Sequence, residues 1–111
     1  MKPINITSAA SADGLKEKLE EEARRRGMNF RNFVGDIYNY AVRNKRFFKK
    51  PLGNPRRKGG KHIGAVVSDQ TAKELTNWAL EKKTSRGDHC RYLLEMAIEG
   101  GHIDKIFGVS E

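Results

Sequence analysis

The sequence predicts a mainly α-helical fold with one two-stranded antiparallel β-ribbon, built from two tandem strand-helix-helix units related by a pseudo-twofold. Three observations predict it. Apolar residues keep their places when the chain is shifted by 56 positions. Each copy opens on a short alternating segment, and a lone strand leaves its backbone groups unpaired. The 111 residues suffice for one core, whereas a unit of about 45 residues is marginal alone. Two copies meet both demands, because their strands can pair and their helices interlock.

The shift places Leu19 on Leu75 and Ala23 on Ala79. Further along, Val34 falls on Cys90, Ile37 on Leu93, Tyr38 on Leu94, Ala41 on Ala97 and Val42 on Ile98. Asp13 falls on Asp69. Few residues are identical, yet the apolar positions agree through two successive helices.

The first unit spans residues 1–44. Ile4-Asn5-Ile6-Thr7 alternates with period two, as a half-buried strand does. Ser11 or Asp13 is placed to cap the first helix, whose apolar stripe is Leu15, Leu19 and Ala23. Arg24-Arg25-Arg26 suits the negative end of the helix dipole, and Gly27 stops the helix. Asn29 caps the second helix, which carries Phe33, Val34, Ile37, Tyr38 and Ala41.

Residues 45–60 form a basic linker rich in proline and glycine, with Phe47, Phe48 and Leu52 pinning its start to the body. The second unit spans residues 61–100. Its strand is Ile63-Gly64-Ala65-Val66-Val67, and Ser68 caps a helix with Asp69 in the first turn. That helix shows Thr71, Leu75, Trp78 and Ala79. Ser85 then caps a helix carrying Cys90, Leu93, Leu94, Ala97 and Ile98. The second helices are the more apolar and should be the buried ones. In the tail, 101–111, Ile103, Ile106 and Phe107 are expected to pack back as a half-turn.

The net charge of +8 sits in one place. Nine of the 22 basic residues lie between Arg43 and His62 with no acid among them, leaving thirteen against 14 acidic residues elsewhere. A near-neutral body with a basic segment points to a polyanionic partner, nucleic acid before membrane. A solvated linker held open by self-repulsion is the bland alternative. Apolar runs are too short for a membrane span, and MKPINITSAAS carries no long apolar leader. With Cys90 the sole cysteine, no intrachain disulfide forms, which suits a reducing cytoplasm.

Val67-Ser68-Asp69 followed by Leu75, and then SRGDHCRYLLEMAI from Ser85 to Ile98, resemble the ribbon-helix-helix family, the Arc, MetJ and CopG type of DNA-binding protein. Gly27-Met28-Asn29 and Phe33 to Val42 match in the first copy. Family members are usually homodimers. Here the duplication would place the dimer in one chain, as in tandem proteins of the TraY type, so the site bound need not be palindromic.

The resemblance implies that the ribbon enters the major groove of double-stranded DNA and reads base edges. The expected readers are Lys2, Asn5 and Thr7 from the first strand and Lys61, His62 and Gly64 from the second. The second set is poor in polar side chains: either that half-site is read weakly or the register is one residue off, and a one-residue slip exchanges every face. Helix N-termini bind anions, so Asn29, Arg31, Ser85 and Arg86 are expected at phosphates. Arg56, Arg57 and Lys58 of the linker are expected there too, or in the minor groove.

His62, His89, His102 and Cys90 fit no common metal spacing, and Cys90 falls on an apolar face as a core thiol. Asp88-His89-Cys90 is no catalytic trio, since consecutive helical residues point apart. No phosphate loop, HExxH or GxSxG pattern occurs. The reading is a non-enzymatic DNA-binding regulator or plasmid accessory protein. It would need no cofactor, work at the nucleoid in the cytoplasm, and be open to self-association on DNA. The competing reading is a helical protein–protein adaptor whose basic segment touches RNA or an acidic partner.

Overall fold

The computed structural model describes residues 4–8, 14–48 and 62–108. In chain order the elements are β1 (Ile4–Thr7), α1 (Leu15–Arg25), α2 (Phe30–Arg43), β2 (Gly64–Val67), α3 (Asp69–Glu81), α4 (Arg86–Glu99) and α5 (His102–Phe107). The described residues are mostly helical, with one two-stranded antiparallel sheet. Ile4 pairs with Val67, Asn5 with Val66, Ile6 with Ala65 and Thr7 with Gly64. The pairing runs one step further, where Ser8 N–H donates to the Ile63 carbonyl at 2.9 Å. Successive strand side chains point to opposite faces. Ile6, Ile63, Ala65 and Val67 are buried accordingly, while Asn5 and Thr7 are exposed.

Three helices start on the residues whose side chains can satisfy a free N–H. Asn29 Oδ1 accepts from Asn32 N–H at 3.3 Å. Ser68 Oγ accepts from Thr71 N–H at 3.2 Å, and Ser85 Oγ from Asp88 N–H at 3.1 Å. Each bond meets one of the orphan donors of a first helical turn. At α1, Gly14 occupies the cap position with φ of 90° and no side-chain cap. Ser11 and Asp13, the expected caps, lie outside the described residues.

The two helix-helix turns close with the same bonds. Met28 N–H donates to the Ala23 carbonyl and Thr84 N–H to the Ala79 carbonyl. The residue before each donor is left-handed: Gly27 at φ 66° and Lys83 at φ 57°. Glycine adopts this shape freely, whereas lysine carries a Cβ penalty there.

Between the helices and the ribbon lies one core. The stripe Phe33, Val34, Ile37, Tyr38 and Ala41 on α2 is buried, as are Cys90, Leu93, Leu94 and Ala97 on α4. α2 touches α1, α3, α4 and α5 and runs along β2. Thr71 Oγ1 donates to Asn39 Oδ1 at 2.6 Å, tying the start of α3 to α2. After α2, a 3₁₀ turn at Lys45–Phe47 brings in Phe48, which is 1% exposed. Its ring stacks on His102 at 4.9 Å and meets Trp78 edge-on at 6.4 Å. The pinning expected of Phe48 is therefore present, whereas Phe47, expected to pin as well, is 42% exposed; Leu52 lies outside the described residues.

The tail is more ordered than a half-turn. α5 runs six residues, and Phe107 stacks on Phe33 with centroids 4.5 Å apart. Arg26 holds it from α1, donating to Asp104 Oδ1 at 3.1 Å and to the Gly108 carbonyl at 3.2 Å.

α2 and α4 meet the ribbon unequally. At Gly35 the α2 backbone lies so close to β2 that a Cβ there would sit 2.0 Å from the Val66 carbonyl oxygen. Only glycine permits that approach. α4 makes no comparable contact with β1 among the described residues. At position 91, 56 residues beyond Gly35, stands Arg91, whose side chain is 5% exposed and lies near Asp88 and Glu95.

Candidate nucleic-acid interface

The outward face of the ribbon is a small four-residue patch. Asn5 sits opposite Val66, and Thr7 opposite Gly64. Asn5 and Thr7 are exposed, while Gly64 and Val66 are half-buried. The alternation therefore turns the expected faces outward, in the unslipped register. Asn5 supplies a donor and an acceptor, Thr7 a hydroxyl and a methyl, and Val66 an apolar branch. None of the four is acidic.

His62 is exposed beside this patch, at the Thr7–Gly64 end. Its Nδ1 donates to the Ser8 carbonyl at 2.8 Å, while Ser8 Oγ accepts from Ile63 N–H at 3.1 Å. These bonds lock the end of the ribbon and leave Nε2 as the ring's remaining polar atom. Lys2 and Lys61 lie outside the described residues, as do Arg56, Arg57 and Lys58.

Helix starts flank the ribbon at both ends. At the Thr7–Gly64 end α2 begins, with Asn29 as its cap and Arg31 in its first turn. The Arg31 Nε lies 3.8 Å and its Cζ 4.0 Å from where a Gly64 Cβ would be. The guanidinium therefore sits at the outer side of the ribbon rather than along the helix. No carboxylate pairs with it among the described residues.

At the Ile4–Val67 end α4 begins, with Ser85 as its cap and Arg86 next. A groove of about 400 Å³ lies here, lined by Ile4, Asp69, Lys73, Thr76, Asn77 and Arg86 among others. Lys73 is engaged with Asp69 at 3.1 Å. Lys73 and Asn77 escaped the sequence reading because helical position alone does not tell which face meets a groove.

The two helix starts differ in charge. The first turn of α2 contains no acid, whereas that of α4 contains Asp88. Ser85 Oγ donates to Asp88 Oδ2 at 3.1 Å while accepting from Asp88 N–H. An acid there already meets the positive end of the dipole, so α4 is the weaker anion site of the two.

The histidines and the thiol are occupied elsewhere. His89 is 1% exposed, edge-on to Trp78 at 4.4 Å and stacked on Tyr92 at 5.8 Å. Burial, with Lys82 and Lys45 nearby, lowers its pKa to about 4. Cys90 is buried against Tyr38, and burial pushes its thiol up to about 12. Among the described residues no group of three or more His, Cys, Asp or Glu is placed to hold a metal ion. No helix among them is long and apolar enough to cross a membrane.

No protein-family model, curated protein or solved structure matches the chain.

Proposed function

We propose that the chain binds double-stranded DNA sequence-specifically, as a tandem ribbon-helix-helix pseudo-dimer that lays its ribbon in the major groove. It then works by occupying its site, as a transcriptional repressor or a plasmid accessory protein. The observation that carries the reading is the ribbon's outward face. An acid-free strand pair presents Asn5 and Thr7, with Arg31 at one end and Arg86 at the other. A two-stranded ribbon fits the major groove, where each base pair shows a distinct donor and acceptor pattern. Helix starts at its two ends suit the phosphates on either side.

The spacing of the elements supports the tandem reading. α2 and α4 both run 14 residues and start 56 apart. β1 and β2 both run four residues and start 60 apart. The connection from β1 to α1 is six residues longer than that from β2 to α3, which is Ser68 alone, and α1 is two residues shorter than α3, which together make the four-residue difference.

The test is fluorescence anisotropy with labelled random duplex, followed by selection from a random duplex pool. Binding that falls by about three decades between 50 and 200 mM salt corresponds to about six neutralised phosphates. Asn5→Ala and Thr7→Ala should relax sequence preference more than affinity. Equal affinity for RNA and duplex, with no enriched sequence, overturns the reading in favour of an adaptor.

A further inference from the structure

We infer that Arg31 reads a guanine in the half of the DNA site that lies under β2, in place of the outward side chain that Gly64 lacks. The inference rests on the ribbon reading proposed above and assigns a role within it. β2 has two outward positions, Gly64 and Val66, and neither carries a hydrogen-bonding side chain. Read from its own residues, the strand could contribute only an apolar contact. The space over Gly64 is instead used by Arg31, with Nε 3.8 Å from the missing Cβ.

Arg31 reaches that place because of how α2 is seated. Gly35, one turn further along the helix, presses the α2 backbone onto the Val66 carbonyl. The same contact brings the first turn of α2 level with the Gly64 end of the strand. A bulky residue at position 64 would compete with the guanidinium for this room.

Chemistry separates this role from a phosphate contact. A guanidinium is a planar fork that matches guanine O6 and N7 in a bidentate way. At the outer side of the ribbon it faces what the ribbon faces, which is base edges rather than backbone. Gly64 lies two residues along the strand from Val66. Two residues span about 6.8 Å, or about two base-pair steps of the duplex. The guanine should therefore lie about two base pairs from the position contacted by Asn5 and Val66. The second half offers no equivalent, because position 87 is glycine.

The experiment is selection from a random duplex pool with the full chain, followed by affinity measurement on single-base variants of the enriched site. Wild type, Asn5→Ala, Arg31→Ala and Arg31→Lys are compared, with circular dichroism melts confirming that each is folded. Arg31 is exposed, so its replacement should not alter folding. Wild type should require one guanine at which substitution weakens binding by about 5- to 150-fold, the range of a bidentate arginine pair. Arg31→Ala should lose that requirement alone, and Arg31→Lys should lose much of it while keeping the salt dependence. If Arg31→Ala instead weakens all sequences equally and lowers the salt slope by about one, Arg31 is a phosphate contact and the inference fails. That failure leaves the ribbon reading intact provided Asn5→Ala still relaxes a position. If wild type enriches no sequence, both are overturned.

Discussion

Gly35→Ala tests the seating of α2 on the ribbon. The added Cβ would lie 2.0 Å from the Val66 carbonyl oxygen and 3.1 Å from its carbon, both backbone atoms. Backbone cannot rotate away as a side chain tip can, so the helix and strand must part by more than 1 Å, roughly the shortfall from van der Waals contact. Overpacking of a close-packed interior costs about 1–3 kcal/mol, and an unyielding backbone obstacle belongs at the upper end. Alanine returns about 1 kcal/mol of helix propensity over glycine. A net loss of about 2 kcal/mol remains, which lowers Tm by about 8 °C for a chain of this length. Urea unfolding followed by circular dichroism measures it directly. DNA binding at a temperature where the variant is folded should also weaken, since Arg31 moves with α2. The opposite sign, a gain of about 1 kcal/mol from propensity alone, would refute the close approach of α2 to Val66.

Further predictions concern strain and buried titratable groups. Lys83→Gly should stabilise the protein by about 0.5–1 kcal/mol in urea unfolding, because the strain of a left-handed lysine outweighs the greater freedom glycine gives the unfolded chain. His89 is held neutral by burial, with its folded pKa near 4 against an ordinary 6.5. Its unfolded form takes up a proton that the folded form refuses. That stability is therefore complete above pH 6.5 and lost as pH falls towards 4, at up to about 1.4 kcal/mol per pH unit. His89→Phe should flatten this part of the pH profile relative to wild type; an unchanged slope would contradict the burial of the ring. For Cys90 the sign is reversed. Its folded pKa lies near 12 against an ordinary 9.0, so its contribution is complete below pH 9 and fades as pH rises towards 12. At pH 8 a thiol reagent should label Cys90 only on unfolding, and fast labelling of native protein would contradict its packing against Tyr38.

Much of the fold could be read from the chain because local chemistry specified it. Asn29, Ser68 and Ser85 announce helix starts through their own side chains, and each accepts the expected N–H. The alternation of Ile4 to Thr7 and of Ile63 to Val67 marks which face is buried, and the faces are as read. Gly27 marks the end of the first turn for the same reason, being left-handed there. Tertiary packing set what could not be read. Gly35 in a helical pattern signals only weak propensity; that it marks contact with Val66 depends on residues 31 positions away in sequence. Nothing local marks Arg91 for burial, yet it is buried. Arg31 reads as a helix-start cation, and nothing local places its guanidinium over Gly64. The α5 stack of Phe107 on Phe33 likewise joins positions from opposite ends of the chain.

On the proposed tandem reading, these differences between the halves point the same way. Gly35 lets α2 approach β2, whereas α4 makes no comparable contact with β1 among the described residues; no carboxylate among them pairs with Arg31 over the ribbon, and position 87 has no side chain; α2 starts without an acid and α4 starts with Asp88. Each places the stronger anchor at the Thr7–Gly64 end. In a homodimer every such change would occur twice, so divergence of this kind is open only to halves fused in one chain. On the proposed reading the protein must then bind its site in one orientation. Tethered cleavage can test this, because the burial of Cys90 leaves a cysteine introduced at exposed Asn77 as the reactive thiol. Asn77 lines the groove at the Ile4–Val67 end. An iron chelate attached through Asn77→Cys should cut the selected duplex on one side of its centre and not on the other. Equal cutting on both sides would mean that the two ends of the ribbon are interchangeable on DNA, and the inequality of the halves would then have no part in recognition.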